Sequence, residues 1–371
     1  MGLGTGLLAG LALPARALGL GLGGHPALYA AACKDAEGRF AAVIFDAERG
    51  SELGRVVLPE RGHDFAVRPQ VAGHGAGPEV VAFARRPGNF AVVFGGPGAA
   101  PLWFTSRPDR YFYGHGVFSG DGRLLYTTEN DFEAGLGTIG VRDATDGYRQ
   151  IGELPSGGIG PHDLALLADG RTLVVANGGI KTHPDTPRLE LNLPDMQPSL
   201  AYIDTATGDI LECHVLSPPH HQLSIRHLTV GAADTVVFGC QYRGPGWQTQ
   251  PIVGRHRRGE ALSLLPLPPD VLLGMRNYVA SLAVDGSGET ALIAAPRGGI
   301  AVAVDVASGN YLARHRMENV FGVAPGSDSR GFVLVSGNGE FGRLSGSGAV
   351  AIETRPNGLA VAWDNHIRRV G

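Results

Sequence analysis

The chain reads as an all-β protein, a seven-bladed β-propeller closed by its C-terminal strand, and three features predict this. One turn phrase recurs at Asp46-Ala-Glu-Arg-Gly50, Asp143-Ala-Thr-Asp-Gly147, Asp204-Thr-Ala-Thr-Gly208 and Asp305-Val-Ala-Ser-Gly309, each copy between two apolar, strand-like runs. In such a turn the Asp carboxylate accepts backbone N–H groups and the Gly supplies a positive φ. A second phrase, Asp-Gly between apolar runs, recurs at Asp121-Gly122, Asp169-Gly170 and Asp285-Gly286 and signals hairpins. Equivalent positions at His63, His115, His162, Arg226, Ala280 and Phe321 recur at intervals from 41 residues (Ala280 to Phe321) to 64 (His162 to Arg226). These bracket a blade length of about 40–50 residues.

Each unit therefore reads as strand A, Asp-Gly turn, strand B, loop, strand C, Asp-x-x-x-Gly turn, strand D, the four antiparallel strands of a blade. Residues 27–60 supply three strands without a strand A, and the C-terminal Leu359 to Ile367 forms an unpaired strand-like piece. Joining the two closes the ring with no free edge, so residues 27–371 are expected to form one domain. The long interval holds Gly178 to Pro198, an insertion between strands B and C. Tandem β-sandwiches would explain the strand spacing, but not the recurrence of both turn phrases.

Composition bounds the function. With 57 Gly, 25 Pro and 43% hydrophobic residues, the 371-residue chain is turn-rich and folded. A net charge of −4 argues against nucleic acid as a partner. Leu3 to Leu13 followed by Pro14-Ala-Arg-Ala17 has the apolar core and small-residue cleavage site of a secretory signal spanning residues 1–17. It is too short to span a bilayer. A basic n-region and a twin-arginine pair are missing, as expected of a truncated signal; the alternative is a Gly-Leu arm. Export to the periplasm is the expectation. Cys33, Cys213 and Cys240 have no metal-motif spacing, and Ala30-Ala-Ala-Cys33 reads as a strand, not a lipidation box.

Propeller geometry orders the polar residues. Strand A starts, and strand B ends, on one face beside the axial channel. His63, His115, His162 and Arg226-His227 fall at strand A starts, and Asn365-His366 on the closing strand. Lys34, Arg85-Arg86, Glu129-Asn130-Asp131, Asn177, Gln241-Tyr242-Arg243, Arg297 and Asn338 fall at strand B ends. Imidazoles around one channel suit a transition metal such as iron or copper, with His63, His115 and His162 the candidate ligands. For each His alone, a structural bond to the neighbouring blade competes with ligation. As a ligand-contacting group we single out His115, His162, His227, Arg226, Arg243, Glu129 and Asn177. The cationic members suit a carboxylate- or phosphate-like ligand, or else ion pairs with Glu129, Asp131 or Asp163. Trp103, Trp247 and Trp363 are expected to pack. No nucleophile elbow, Rossmann fingerprint or c-type haem motif is present.

Six segments carry a resemblance: Tyr113-Gly-His-Gly-Val-Phe-Ser119, Tyr126-Thr-Thr-Glu-Asn-Asp131, Gly160-Pro-His-Asp-Leu164, Val175-Ala-Asn-Gly-Gly-Ile180, Leu223-Ser-Ile-Arg-His-Leu228 and Trp363-Asp-Asn-His366. They resemble a bacterial family of exported, propeller-like proteins encoded beside imelysin-type iron-uptake proteins and di-haem cytochrome/peroxidase-like partners. The Asp-x-x-x-Gly turns resemble the wider YVTN and quinoprotein-like propeller group. The resemblance implies a periplasmic setting, a link to iron acquisition and those periplasmic partners, and it supplies no catalytic residues. Two functions stay open: a ligand- or metal-binding accessory or scaffold, and an enzyme (oxidoreductase or lactonase-like hydrolase) working at the histidine-lined mouth.

Overall fold

Short apolar runs punctuated by Asp and Gly turns fold locally into hairpins, and seven four-stranded antiparallel sheets result. The computed structural model describes residues 27–49, 51–70, 77–86, 88–96, 98–186, 189–345, 350–353 and 361–371; the expected signal at residues 1–17 lies outside these. Blade 1 is built from Val361–Arg369, Leu28–Asp35, Phe40–Asp46 and Ser51–Leu58, counted outward from the axis. In blades 2 to 7 the innermost strands are Gly62–Val67, Tyr111–Phe118, Pro161–Leu166, Leu223–Val230, Ser281–Val284 and Val320–Pro325. Each of these runs consecutively outward through its three followers.

The turn phrases close the strand C to strand D hairpins. The Asp143 Oδ1 accepts from the Thr145 N–H at 2.8 Å, Asp204 from Ala206 at 2.9 Å and Asp305 from Ser308 at 2.7 Å. Gly147, Gly208 and Gly309 take φ of 61°, 79° and 75°, the left-handed region where a Cβ is costly. Of the strand A to strand B turns, those of blades 3 and 4 use Gly122 and Gly170 as expected. In blade 6 the positive φ falls on Gly288 and not on Gly286, because the Asp285 carboxylate reaches on to the N–H groups of Glu289 and Thr290.

Closure occurs where the C-terminal strand meets the N-terminal one. Val361–Arg369 pairs antiparallel with Leu28–Asp35, from Tyr29 opposite Arg369 to Asp35 opposite Val361. Trp363 packs on Phe45 with ring centroids 5.0 Å apart, in a core shared with Tyr29 and Phe341. The Tyr29 hydroxyl donates to the Pro325 carbonyl at 3.0 Å, which ties blade 1 to blade 7. Of the other tryptophans, Trp103 is 44% exposed and packs on the Phe90 ring at 5.5 Å, whereas Trp247 is 82% exposed and departs from the packing role expected of it.

A local irregularity positions the site. The register shifts between Gly62 and Phe65, Phe112 and Gly116, Pro161 and Asp163, Ile225 and His227, and on the closing strand between Ile367 and Trp363. Bulges re-aim side chains out of the ladder, and these turn His63, His115, His162, Arg226 and Asn365-His366 towards the axis. Gly114 sits inside one bulge at φ 99°; a Cβ there would lie 2.7 Å from the His63 ring, so only glycine lets blades 2 and 3 approach this closely.

Because the closing strand supplies a fully enclosed aromatic side chain, its loss differs from terminal fraying. Trp363→Ala should cost about 3–5 kcal/mol of stability in chemical denaturation. A loss under about 1 kcal/mol would mean that the C-terminal strand does not carry closure.

Candidate functional site at the propeller axis

Five imidazoles from five successive blades meet at the axis. His366 comes from blade 1, His63 from blade 2, His115 from blade 3, His162 from blade 4 and His227 from blade 5, all buried. Ring centroids of His63–His162, His162–His227, His227–His366 and His366–His63 lie 5.6, 4.6, 4.8 and 4.9 Å apart, a closed cycle. His115 touches all four members at 4.8 to 5.5 Å. Its Nε2 lies 3.1 Å from His63 Nε2.

Beneath His115 is a charged base. Its Nδ1 lies 2.7 Å from an Asp64 oxygen and 3.2 Å from an Asp163 oxygen, neither aligned as a straight hydrogen bond. Arg368 of the closing strand donates from Nε to Asp64 at 2.9 Å. The other Asp163 oxygen accepts the Leu228 N–H at 3.1 Å, joining blade 4 to blade 5.

These surroundings divide the histidines into two protonation classes. Burial works against a charge on His115, but Asp163 and Asp64 outweigh it and raise the pKa to about 9. Burial pushes His63, His162 and His227 well below the usual range, and the charged His115 adds to this for all three. His366 falls to about 3, again through burial first. At neutral pH the cluster is four neutral imidazoles around one imidazolium. Four ring nitrogens, His63 Nδ1, His162 Nδ1, His227 Nδ1 and His366 Nε2, are buried with no hydrogen-bond partner among the described residues. Leaving such an atom unpaired costs about 1–3 kcal/mol.

Above the cycle opens a chamber of about 790 Å³, its floor formed by His63, His162, His227 and Asn365. Its wall carries Arg61, Arg85, Arg86, Arg226 and Arg297. Thr182 and Glu190 of the insertion overhang it, so that segment contributes to the mouth. The Arg226 pKa is lowered to about 10, by burial first and then by Arg86, which leaves it charged at neutral pH.

The structure brings together His63, His115, His162, His227 and Arg226 as the strand positions implied. Three other candidates sit elsewhere. Arg243 is at the rim, where it donates to Glu190 at 3.1 Å. Glu129 and Asn177, expected at the mouth, turn into the blade interfaces and do not line the chamber. Glu129 is buried against Arg142 at 3.0 Å and accepts from the Thr127 hydroxyl at 2.7 Å. Asn177 donates to the Ser156 carbonyl at 2.9 Å. Both stand on strand B opposite a bulge, paired with Phe112 and Pro161, but the extra residue belongs to strand A and their own ladder to strand C stays regular. Asp64 and Arg368 were not anticipated. A signal existed: the dipeptide His-Asp occurs at the strand A start of blades 2 and 4, as His63-Asp64 and His162-Asp163.

Groups of three among these residues have ligand atoms within 4.8 Å of one another: His63, His115 and His366; His115, His162 and His227; Asp64, His115 and Asp163. Fold and site together define a seven-bladed propeller whose axial channel is floored by imidazoles and walled by guanidinium groups. The chain belongs to the family described as "Protein of unknown function (DUF1513)", whose profile matches residues 56–370. No curated protein matches it. Among solved structures, Kuenenia stuttgartiensis hydrazine synthase is similar in fold, with a TM-score of 0.59 and 15% identity over 85% of this chain and 89% of that one.

The two protonation classes give stability a pH optimum. His115, with its pKa raised, contributes fully below pH 6.5 and loses that contribution as the pH rises towards about 9. The four depressed histidines act oppositely: below pH 6.5 the unfolded chain takes up protons that the folded cluster refuses. His256 and His315, also lowered by burial, add to this acid limb. Asp64 and Asp163, held below 3.8, keep contributing until more acid pH. Calorimetry of the metal-free chain should show Tm greatest near pH 6.5 and falling on both sides. The acid limb should be steeper, each proton contributing about 1.4 kcal/mol per pH unit. A Tm unchanged between pH 6.5 and 5 would contradict this charge assignment.

Proposed function

We propose that this propeller binds a transition metal ion at its axial histidine cluster and serves as a metal-binding accessory protein. The observation that carries the reading is the set of four buried, unpartnered imidazole nitrogens. Buried polar atoms are ordinarily satisfied, so an orphaned group of this size calls for an occupant. Neutral imidazole is the ligand form, and imidazole suits iron, copper and zinc. The His63 and His115 Nε2 atoms, 3.1 Å apart, offer a second arrangement, in which His63 would ligate through Nε2 and not through its orphaned Nδ1. With metal–nitrogen bonds of about 2.0–2.1 Å, adjacent ligands stand roughly 2.9–3.4 Å apart. Asp64 and Asp163 add negative charge that attracts a cation, and His115 as imidazolium holds that place in its absence.

On the resemblance of the six segments, the setting would be the periplasm, beside imelysin-type or cytochrome/peroxidase-like proteins, and the ion would be iron or copper. The enzymatic alternative draws on the same floor, because a ligand in the chamber would touch His63, His162 and His227.

Elemental analysis and titration with Fe(II) and Cu(II) test the reading. The full chain should hold about one equivalent, and His162→Ala or His227→Ala should weaken binding by at least about tenfold. His183→Ala, on the insertion, should leave it unchanged. A protein that takes up neither ion, or binds equally well after His162→Ala, would refute the proposal.

A further inference from the structure

The chamber above the histidines has a charge imbalance that a metal on the floor does not address. Arg61 is neutralised by Asp364, with Nη2 donating at 2.8 Å, and Arg243 at the rim by Glu190. Arg85, Arg86, Arg226 and Arg297 have no carboxylate partner among the described residues. Of the acidic side chains lining the chamber, Glu190 is engaged, and Glu60 is exposed with no ion-pair partner among the described residues. Four guanidinium groups thus converge on one concavity against the Glu60 carboxylate alone.

Neutral partners orient these cations without cancelling their charge. Arg226 donates to the Gln241 amide oxygen at 2.7 Å, and Arg86 to the Thr182 hydroxyl at 2.8 Å. Arg86 also lies over the Tyr113 ring at 5.2 Å, and Arg297 over Tyr278 at 4.7 Å. A guanidinium stacked by its face keeps its edge donors free, and that planar fork matches a carboxylate or phosphate. Like charges gathered in a cleft repel one another and focus a field that attracts an anion.

We propose that the chamber is a binding site for a small molecule carrying two or more oxyanion groups, carboxylate or phosphate. The layout suits more than one such group. Arg85 and Arg86 come from blade 2, whereas Arg226 and Arg297 come from blades 5 and 6, across the ring of seven. A volume of about 790 Å³ exceeds what one phosphate fills and suits a multi-group ligand. Such a ligand rests on His63, His162 and His227, so it would meet any metal held there, yet its recognition by the arginines does not require one.

Calorimetric titration of the full, chelator-treated chain with citrate and, separately, inorganic pyrophosphate provides the test. At least one should bind, more weakly as salt is raised. Arg226→Gln and Arg85→Gln should each weaken binding by about tenfold or more, the worth of a lost charge-assisted bond. Arg226→Lys should recover part of the loss. Should the inner variants unfold, the exposed Arg297→Gln carries the same expectation. Citrate binding alone would place carboxylates in the chamber, and pyrophosphate alone phosphates. Binding of neither, or binding undiminished in folded Arg→Gln variants, would overturn the inference. A chain that binds metal but neither anion defeats only this proposal; one that binds an anion but no metal defeats only the preceding one.

Discussion

The rest of the structure depends on the buried charge network under the axial histidines. His115 of blade 3 stands between Asp64 of blade 2 and Asp163 of blade 4, and Arg368 of the closing strand reaches Asp64. Four blades are thereby fastened together at the axis. Buried ion pairs are a costly way to gain stability, but removing one partner leaves an uncompensated charge and costs about 3–5 kcal/mol. Ring closure and site assembly are consequently one event: until Val361–Arg369 docks, Asp64 lacks its arginine and the cluster lacks His366.

The network also sets the chemistry above it. Burial first, and then the positive charge that the two carboxylates hold on His115, keep the surrounding imidazoles neutral. The channel is therefore graded along its axis. Carboxylates lie at the base, lone-pair donors in the middle and guanidinium groups at the mouth. Arg368 and the His115 imidazolium balance the two carboxylates, so the base turns negative only when His115 gives up its proton. On the proposed readings, a metal there would meet an oxyanion ligand held at the cationic mouth.

Much of this was legible along the chain, because propellers are built from local hairpins. Asp143-to-Gly147 and Asp204-to-Gly208 mark their turns through bonds within five residues, so those signals survive without tertiary context. The strand A starts were legible for the same reason, and with them the placing of His63, His115 and His162 on one rim. Glu129 and Asn177 were misplaced at the mouth because a position at a strand end does not say whether the side chain faces the channel or the next blade. That is decided by register, and register by bulges whose only trace is a glycine or proline such as Gly114 or Pro161.

By itself, then, the sequence determined the blade count, the hairpin turns and the need for the C-terminal strand to complete the first blade, since these follow from periodicity and turn chemistry between near neighbours. Only the tertiary structure decided that five imidazoles meet at the axis, that His115 keeps its proton while the others stay neutral, and that four arginines face the chamber with no carboxylate partner among the described residues. Those properties arise between residues as far apart as Asp64 and Arg368, whose field and burial exist only once the ring has closed.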